Sequence, residues 1–132
     1  MILVTGASGF VGEHLVSQLL QSGQSVRVLC RNPRRLGQHG ILTSDQMAGL
    51  NCVEGDLTDF HALEAAFEGV QTIFHCAAFI SYDPRERDEM FDINIKGTAN
   101  VVNAALHAGA KRLVHISSIA ALGQPEEVGM TI

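Results

Sequence analysis

Short apolar runs alternate along this chain with segments in which apolar residues recur every three or four positions. The runs predict five strands, at residues 2–4, 26–29, 50–54, 70–76 and 113–116. The periodic segments predict three helices, which span 11–22, Thr58 or Asp59 to Phe67, and Asp88–Leu106. Asn32 and Pro33 predict a further helix start. The segment 36–49 is mixed in character and predicts a poorly determined helix and loop.

The alternation of strand and helix predicts an α/β fold, in which crossover helices on both faces join parallel strands. The strands are almost unbroken apolar runs, as expected of strands that are covered on both sides. A doubly wound parallel sheet of this kind binds ligands at the carboxyl ends of its strands. No helix is predicted after the fifth strand, although such a sheet usually continues. We therefore expect residues 1–132 to be one incomplete domain, truncated after about the fifth strand, from the front part of a longer protein.

The composition limits the classes of function. The chain has 132 residues, 46% of them hydrophobic and 17% charged, which excludes a disordered chain. Its net charge of -5 argues against a nucleic-acid partner. There is no apolar run of the roughly 20 residues that span a bilayer, and no secretion signal is apparent. The three cysteines form no C-x-x-C pair, which favours reduced thiols in a cytoplasmic protein.

Three glycines lie between the first strand and the first helix. Gly6 permits a tight turn, Gly9 allows a pyrophosphate to approach the backbone, and Gly12 allows the helix to pack closely on the strand. The exposed N–H groups and the helix dipole would attract phosphates. The alternative is a tight turn with no ligand. No Gly-Lys-Ser/Thr follows, which excludes a P-loop. The candidate cofactor-binding residues of this turn are Gly6, Ser8, Gly9, Phe10, Val11 and Gly12.

The pattern T-G-x-x-G-x-x-G in this turn resembles the short-chain dehydrogenase/reductase superfamily, and in particular its extended branch. That branch includes nucleotide-sugar epimerases and dehydratases, dihydroflavonol reductases and 3β-hydroxysteroid dehydrogenases, and the segment 4–33 is most similar to the dihydroflavonol-reductase group. The resemblance implies a Rossmann-type NAD(P)-binding fold. It also implies hydride transfer between a nicotinamide and a small-molecule carbonyl or nucleotide-sugar substrate.

The end of the second strand bears on the choice of cofactor. An NAD site usually has an acidic residue there, which accepts from a ribose hydroxyl. No Asp or Glu occurs between Glu13 and Asp45, and Arg31 stands at that place. A guanidinium would pair with the 2′-phosphate of NADP, so NADP is preferred over NAD. Arg34 and Arg35 are interpreted as a solvated basic cluster.

Two further motifs follow strands and resemble motifs of the family. Asp56 and Leu57 match its G-D-L motif, in which the Asp accepts from the adenine amino group; the alternative is that Asp56 caps the next helix. A second motif, H-x-A-A, ends the fourth strand with cofactor-contacting residues Cys76, Ala77 and Ala78. His75 is interpreted as a packed structural histidine. The six histidines have no ligand-like spacing, so no metal site is predicted.

The long helix resembles the family's N-x-x-G-T-x-N segment. Asn94 would belong to the polar network near the cofactor, or else be a surface amide, and Asn100 and Asn103 are interpreted as surface amides. Small residues on this helix would allow close packing of two helices: Gly97, Ala99, Ala104 and Ala105. Extended members often dimerise through this helix, so a homodimer is expected of the full-length protein.

Two serines follow the fifth strand. The resemblance assigns the catalytic contact with the substrate oxygen to Ser118, counted back from Gly123, and a cofactor contact to Ser117. The family also requires a Y-x-x-x-K pair beyond this strand. Tyr82 is the one tyrosine, and Glu86 occupies its fourth following position. The full-length protein is therefore expected to be an oxidoreductase or epimerase/dehydratase, with this chain alone inactive. The alternative is a non-catalytic dinucleotide-binding sensor or assembly module.

Overall fold

The computed structural model describes residues 1–122 and contains a five-stranded, wholly parallel sheet in the order β3-β2-β1-β4-β5. The strands are β1 (Ile2–Thr5), β2 (Val26–Cys30), β3 (Asn51–Glu54), β4 (Thr72–His75) and β5 (Arg112–His115). The predicted doubly wound α/β architecture is confirmed, with β1 at its centre. After β3 the chain crosses to the other side of β1, which creates a switch point between β1 and β4.

The described residues contain five α-helices: α1 (Phe10–Gln21), α2 (Ser44–Ala48), α3 (Phe60–Phe67), α4 (Arg87–Phe91) and α5 (Thr98–His107). The single long helix predicted over Asp88–Leu106 is wrong in one respect, because a π-helical turn at Asp92–Gly97 joins α4 to α5. The helix predicted after Asn32 is only a 3₁₀ turn, Pro33–Arg35, where the Asn32 side chain accepts from the backbone N–H of Arg34. Further 3₁₀ turns span Pro84–Glu86 and Ile119–Leu122.

Local side-chain chemistry explains where the helices begin. Asp59, rather than Thr58, caps α3 by accepting from the backbone N–H groups of His61 and Ala62. In the segment 36–49, Thr43 and Gln46 form a reciprocal capping box that starts α2. These bonds satisfy N–H groups that have no acceptor within the helix.

The core lies on both faces of the sheet. Leu3 and Val4 are adjacent on β1, point to opposite faces and are both fully buried. Leu3 packs with residues of α3 and α5, whereas Val4 packs with residues of α1 and with Leu42. This two-sided coverage explains the unbroken apolar runs. Among the residues described, no helix combines the length and the apolar character that crossing a bilayer requires.

His75 joins the central strands to α5. It is fully buried, with Nδ1 2.6 Å from the Thr5 hydroxyl and Nε2 3.0 Å from the Thr98 hydroxyl. Its ring centroid lies 5.1 Å from that of His115 on β5. Burial, with a smaller contribution from His115, lowers the pKa of His75 to about 4. The prediction of a packed structural histidine is confirmed.

This buried histidine makes stability depend on pH. The unfolded chain binds a proton at His75 below about pH 6.5, whereas the folded chain resists protonation until about pH 4. Stability is therefore fully present above pH 6.5 and is lost as the pH falls towards 4, by at most about 3 kcal/mol from this group. Urea denaturation at pH 7 and pH 5 should show a smaller loss for His75→Gln than for the parent. His61→Gln, at an exposed histidine, is the control. Equal losses in parent and His75→Gln would contradict the assignment.

Candidate functional site

A cavity of about 660 Å³ opens at the carboxyl ends of β1 to β4. Its walls are the glycine turn after β1, part of segment 31–38 after β2, residues 55–57 after β3 and residues 76–80 after β4. Ile93 of the π-helical turn also lines it. The cavity therefore occupies the switch point, where doubly wound sheets bind their ligands.

Nine of the residues predicted to bind a cofactor line this cavity: Gly6, Ser8, Gly9, Arg31, Asp56, Leu57, Cys76, Ala77 and Ala78. Six predicted site residues do not line it: Phe10, Val11, Gly12, Asn94, Ser117 and Ser118. The turns that follow four different strands thus meet around one space, as the parallel topology requires.

The presence of glycine has a different structural explanation at each of the three positions of the turn. Gly6 has φ +70°, and a Cβ on it would lie 2.5 Å from the backbone nitrogen of Ala77. A Cβ on Gly12 would overlap the carbonyl oxygen of Gly6. In contrast, a Cβ on Gly9 would meet only that same oxygen, at 3.3 Å. Internal packing therefore requires Gly6 and Gly12, whereas glycine at position 9 mainly keeps the cavity open.

The N-terminus of α1 adjoins this open space. Gly9 is its N-cap residue and provides no side-chain hydrogen bond to the first turn. Phe10 and Val11 are 63% and 52% exposed and do not line the cavity, so any contact they make with a ligand would use backbone N–H groups. The N-terminus of this 12-residue helix lies beside the cavity, and no side chain caps its first N–H groups. Such a helix N-terminus favours an anionic group next to it.

Two guanidinium groups line the wall after β2. Arg31 lies 3.7 Å from the carboxylate of Glu89 on α4, and both side chains are about half exposed. Arg35 also lines the cavity, whereas Arg34 does not. Arg34 and Arg35 are both exposed, as expected of a solvated basic cluster, and Arg35 additionally borders the cavity. Glu89 could not be found from the sequence, because only the packing of α4 brings it to the end of β2.

Asp56 supports the turn after β3. Its Oδ1 accepts from the backbone N–H of Thr58 at 2.8 Å and from the Thr58 hydroxyl at 2.7 Å. The alternative that Asp56 caps the helix is wrong, because Asp59 caps α3. Within residues 1–122, both hydrogen bonds to the Asp56 carboxylate end on Oδ1. The carboxylate thus lines the cavity with its orientation set by Thr58.

Two asparagines of the helical segment after α4 attach it to loops around the cavity. Asn94 accepts from the backbone N–H of Phe79 at 2.8 Å and donates to its carbonyl at 2.7 Å. It is therefore neither a surface amide nor a cavity-lining residue, and it positions the loop after β4. Asn100, predicted to be a surface amide, donates to the carbonyl of Leu57 at 2.9 Å. The N-x-x-G-T-x-N motif was the signal for this attachment.

Ser117 and Ser118 follow β5 at the same edge of the sheet. His115 is in register with His75, and the backbone N–H of Ile116 donates to the His75 carbonyl. Both serines are exposed, and the Ser118 hydroxyl accepts from the backbone N–H of Ala120 at 3.2 Å. Gly123, from which the position of the catalytic serine was counted, lies outside the described residues.

Two of the three cysteines lie close together, on the neighbouring strands β2 and β3. Cys30 and Cys52 are free thiols with Sγ atoms 3.3 Å apart. Burial, with smaller contributions from Cys52 and Glu54, raises the pKa of Cys30 to about 12, and burial also raises the pKa of Cys76. Such thiols are poor nucleophiles. Across residues 1–122, no cluster of three His, Cys, Asp or Glu side chains could hold a metal ion.

Comparisons with known proteins agree on one family. The model of the NAD dependent epimerase/dehydratase family matches residues 2–131. Sterol demethylase protein B of Methylococcus capsulatus is 40% identical over 92% of this chain and 35% of its own length. A 3-beta-hydroxysteroid dehydrogenase of Mycolicibacterium neoaurum is 39% identical over 89% of this chain and 31% of its own length. This chain thus spans about a third of these relatives.

The fold comparison points the same way. The crystal structure of the Bordetella bronchiseptica enzyme WbmG, in complex with NAD and UDP, superposes with a TM-score of 0.80 at 33% identity. The match covers 99% of this chain and 41% of that structure.

The contrast between Gly9 and Gly12 is testable. Gly12→Ala should cost at least about 2 kcal/mol of unfolding free energy, because its methyl group would overlap backbone that cannot move aside. Gly9→Ala should cost less than about 1 kcal/mol, since its contact is only close and its φ of -87° suits any residue. Urea denaturation followed by circular dichroism measures both. Equal losses would contradict the separate roles of these glycines.

Proposed function

Because this chain belongs to the NAD dependent epimerase/dehydratase family, we propose that residues 1–132 are the NAD(P)-binding domain of an oxidoreductase or epimerase/dehydratase that prefers NADP. The observation that carries this proposal is the 660 Å³ cavity at the switch point, bordered by an open glycine turn and by two guanidinium groups. Glycine-lined space beside an uncapped helix N-terminus suits a pyrophosphate, and guanidinium groups suit a further phosphate.

The residues around the cavity suggest how such a dinucleotide would be held. The pyrophosphate would contact Gly9 and the first-turn N–H groups of α1. Asp56 and Leu57 would face the adenine, and the small side chains of Ala77 and Ala78 leave room for the nicotinamide half. Asn94 would act through the Phe79 backbone and not by touching the cofactor. When bound, the nicotinamide would supply or accept the hydride.

Ser118 is proposed to contact the substrate oxygen. It follows β5, next to the strand whose end carries Ala77 and Ala78, so a substrate between them would be near the nicotinamide. The general acid–base pair would come from residues beyond these 132, because Tyr82 is 98% exposed and is followed by Glu86 at the fourth position. This chain alone would then be inactive.

The substrate is proposed to be a small carbonyl or carbinol compound or a nucleotide sugar. The Mycolicibacterium relative is named for a hydroxysteroid, and the WbmG structure contains UDP. The protein is proposed to act in the cytoplasm, in keeping with free thiols at all three cysteines.

A homodimer is proposed through α4, α5 and the turn between them. The small residues of this segment are not the reason for the proposal. Gly97, Ala104 and Ala105 are buried against the chain's own core, so they cannot contact a second copy. The exposed side of this segment carries large apolar residues instead: Phe91, Ile95, Val102 and Leu106. Covering them would remove apolar surface from water.

A non-catalytic dinucleotide-binding module is the second candidate. Tyr82, the one tyrosine of these 132 residues, is exposed and does not line the cavity, which favours a module without a catalytic tyrosine. The two candidates differ in turnover, because only the enzyme converts a carbonyl or carbinol substrate, whereas both bind the cofactor.

The cofactor preference is tested by calorimetric titration of the full-length protein with NADP and NAD. NADP should bind more tightly, and Arg31→Ala should weaken it by about 1.5–3 kcal/mol while NAD changes little. Glu89→Gln should tighten NADP up to about fivefold, because it removes the carboxylate that competes for Arg31. Glu86→Gln is the matched control on the exposed turn before α4. Equal affinities for the two cofactors in the parent would refute the preference.

The role of Ser118 is tested by steady-state kinetics of the full-length protein, after a screen of nucleotide sugars, aldehydes and cyclic ketones. Ser118→Ala should lower kcat by roughly 100- to 1000-fold, because a donor to the reacting oxygen is lost. Its affinity for NADP should be unchanged. Ser117→Ala is the matched control and should retain most activity. The reverse pattern would assign the role to Ser117.

A further inference from the structure

The side chain of Gln38 connects two walls of the cavity. Its Nε2 donates to the carbonyl of Ser8, in the glycine turn, at 2.6 Å. Its Oε1 accepts from Nε of Arg35 at 3.2 Å. All three residues line the cavity. One carboxamide therefore uses its donor on the turn after β1 and its acceptor on the arginine after β2.

The backbone around Gln38 keeps this side chain over the glycine turn. Gly37 has φ +77°, a conformation that side chains rarely allow, and the N–H of Gly40 closes a turn on the Gly37 carbonyl at 3.0 Å. Beside it, the N–H of His39 lies 3.5 Å from Oε1 of Glu13, a fully buried residue in the first turns of α1. The loop is thus attached to the same helix whose N-terminus borders the cavity.

The three arginines of this loop are in different electrostatic situations. Arg31 faces the carboxylate of Glu89, which offsets its charge. Arg34 lies outside the cavity wall. Among residues 1–122, the hydrogen bond of the Arg35 side chain goes to the neutral amide of Gln38. This bond orients the guanidinium but does not neutralise its positive charge. Arg35 is therefore the guanidinium of this wall best prepared for an anionic ligand.

We propose that Gln38 is a positioning residue, which holds the guanidinium of Arg35 in the cavity wall so that it contacts the 2′-phosphate of NADP. This inference rests on the proposed function. It assigns Arg35 a ligand contact alongside Arg31, and it gives Gln38 an effect on cofactor choice that is exerted only through Arg35. Glutamine suits this position because one planar group supplies both the donor for Ser8 and the acceptor for Arg35.

The test compares NADP and NAD binding by calorimetry in the full-length protein. Gln38→Met keeps the side-chain volume but removes the hydrogen bonds with Ser8 and Arg35, together with the contact of Nε2 with Nε2 of His39 at 3.3 Å. NADP affinity should fall roughly 5- to 10-fold, and NAD affinity should change less than about twofold. Gln24→Met is the matched control, at an exposed glutamine before the opposite end of β2, and should change neither affinity. Unchanged thermal denaturation confirms that each variant is folded.

A double-mutant cycle separates a positioning role from a general structural one. Arg35→Met should lower NADP affinity at least as much as Gln38→Met, and the double variant should bind like Arg35→Met alone. Additive losses, or equal losses for NADP and NAD in Gln38→Met, would overturn the proposal.

A second variant and the parent protein complete the test. If Gln38→Met fails to fold, Gln38→Ala replaces it. It removes the hydrogen bonds with Ser8 and Arg35 and adds no charge, so it should lower NADP affinity more than NAD affinity. A parent that does not distinguish the cofactors overturns both this inference and the NADP preference. A parent that prefers NADP, with Gln38→Met unchanged, overturns this inference alone.

Discussion

The close approach of α1 to the end of β1 is the constraint on which the candidate site depends. Gly12 packs against the carbonyl of Gly6, and Gly6 packs against the backbone of Ala77, with no space for a Cβ at either position. This contact brings the helix N-terminus down to the edge of the sheet and the end of β4 up to the glycine turn. The cavity exists because these two backbone contacts leave space above Gly9.

Hydrogen bonds between neutral groups connect β1 and the elements around it to one another. His75 bonds to Thr5 and Thr98 and so joins β1, β4 and α5. Asn94 joins the following helical turn to the loop after β4, and Asn100 joins α5 to the turn after β3. Because these groups are neutral at physiological pH, they orient the cavity walls without the desolvation cost of buried charges. The charged side chains that line the cavity are Arg31, Arg35 and Asp56.

Much of the fold could be predicted from local patterns. Each strand contains a short apolar stretch, and the order of elements is enough to give a parallel sheet with helices on both faces. The prediction was wrong where local pattern and geometry differ. The π-helical turn at Asp92–Gly97 has the same apolar spacing as an α-helix, so periodicity could not reveal it. The small residues of the long helix suggested a surface for a second helix, but Gly97, Ala104 and Ala105 are buried in the chain's own core, and Ala99 is exposed.

The sequence by itself determined which turns would carry chemistry, because glycine spacing and the residues after each strand are local properties of the chain. Nine of the predicted cofactor-binding residues line one cavity for that reason. Only the tertiary structure decided which charges and amides face one another there. Glu89 meets Arg31, and Gln38 meets Ser8 and Arg35, through the packing of α4 and of the loop after β2 onto the sheet edge. These pairings depend on distances in space between segments that no local pattern relates.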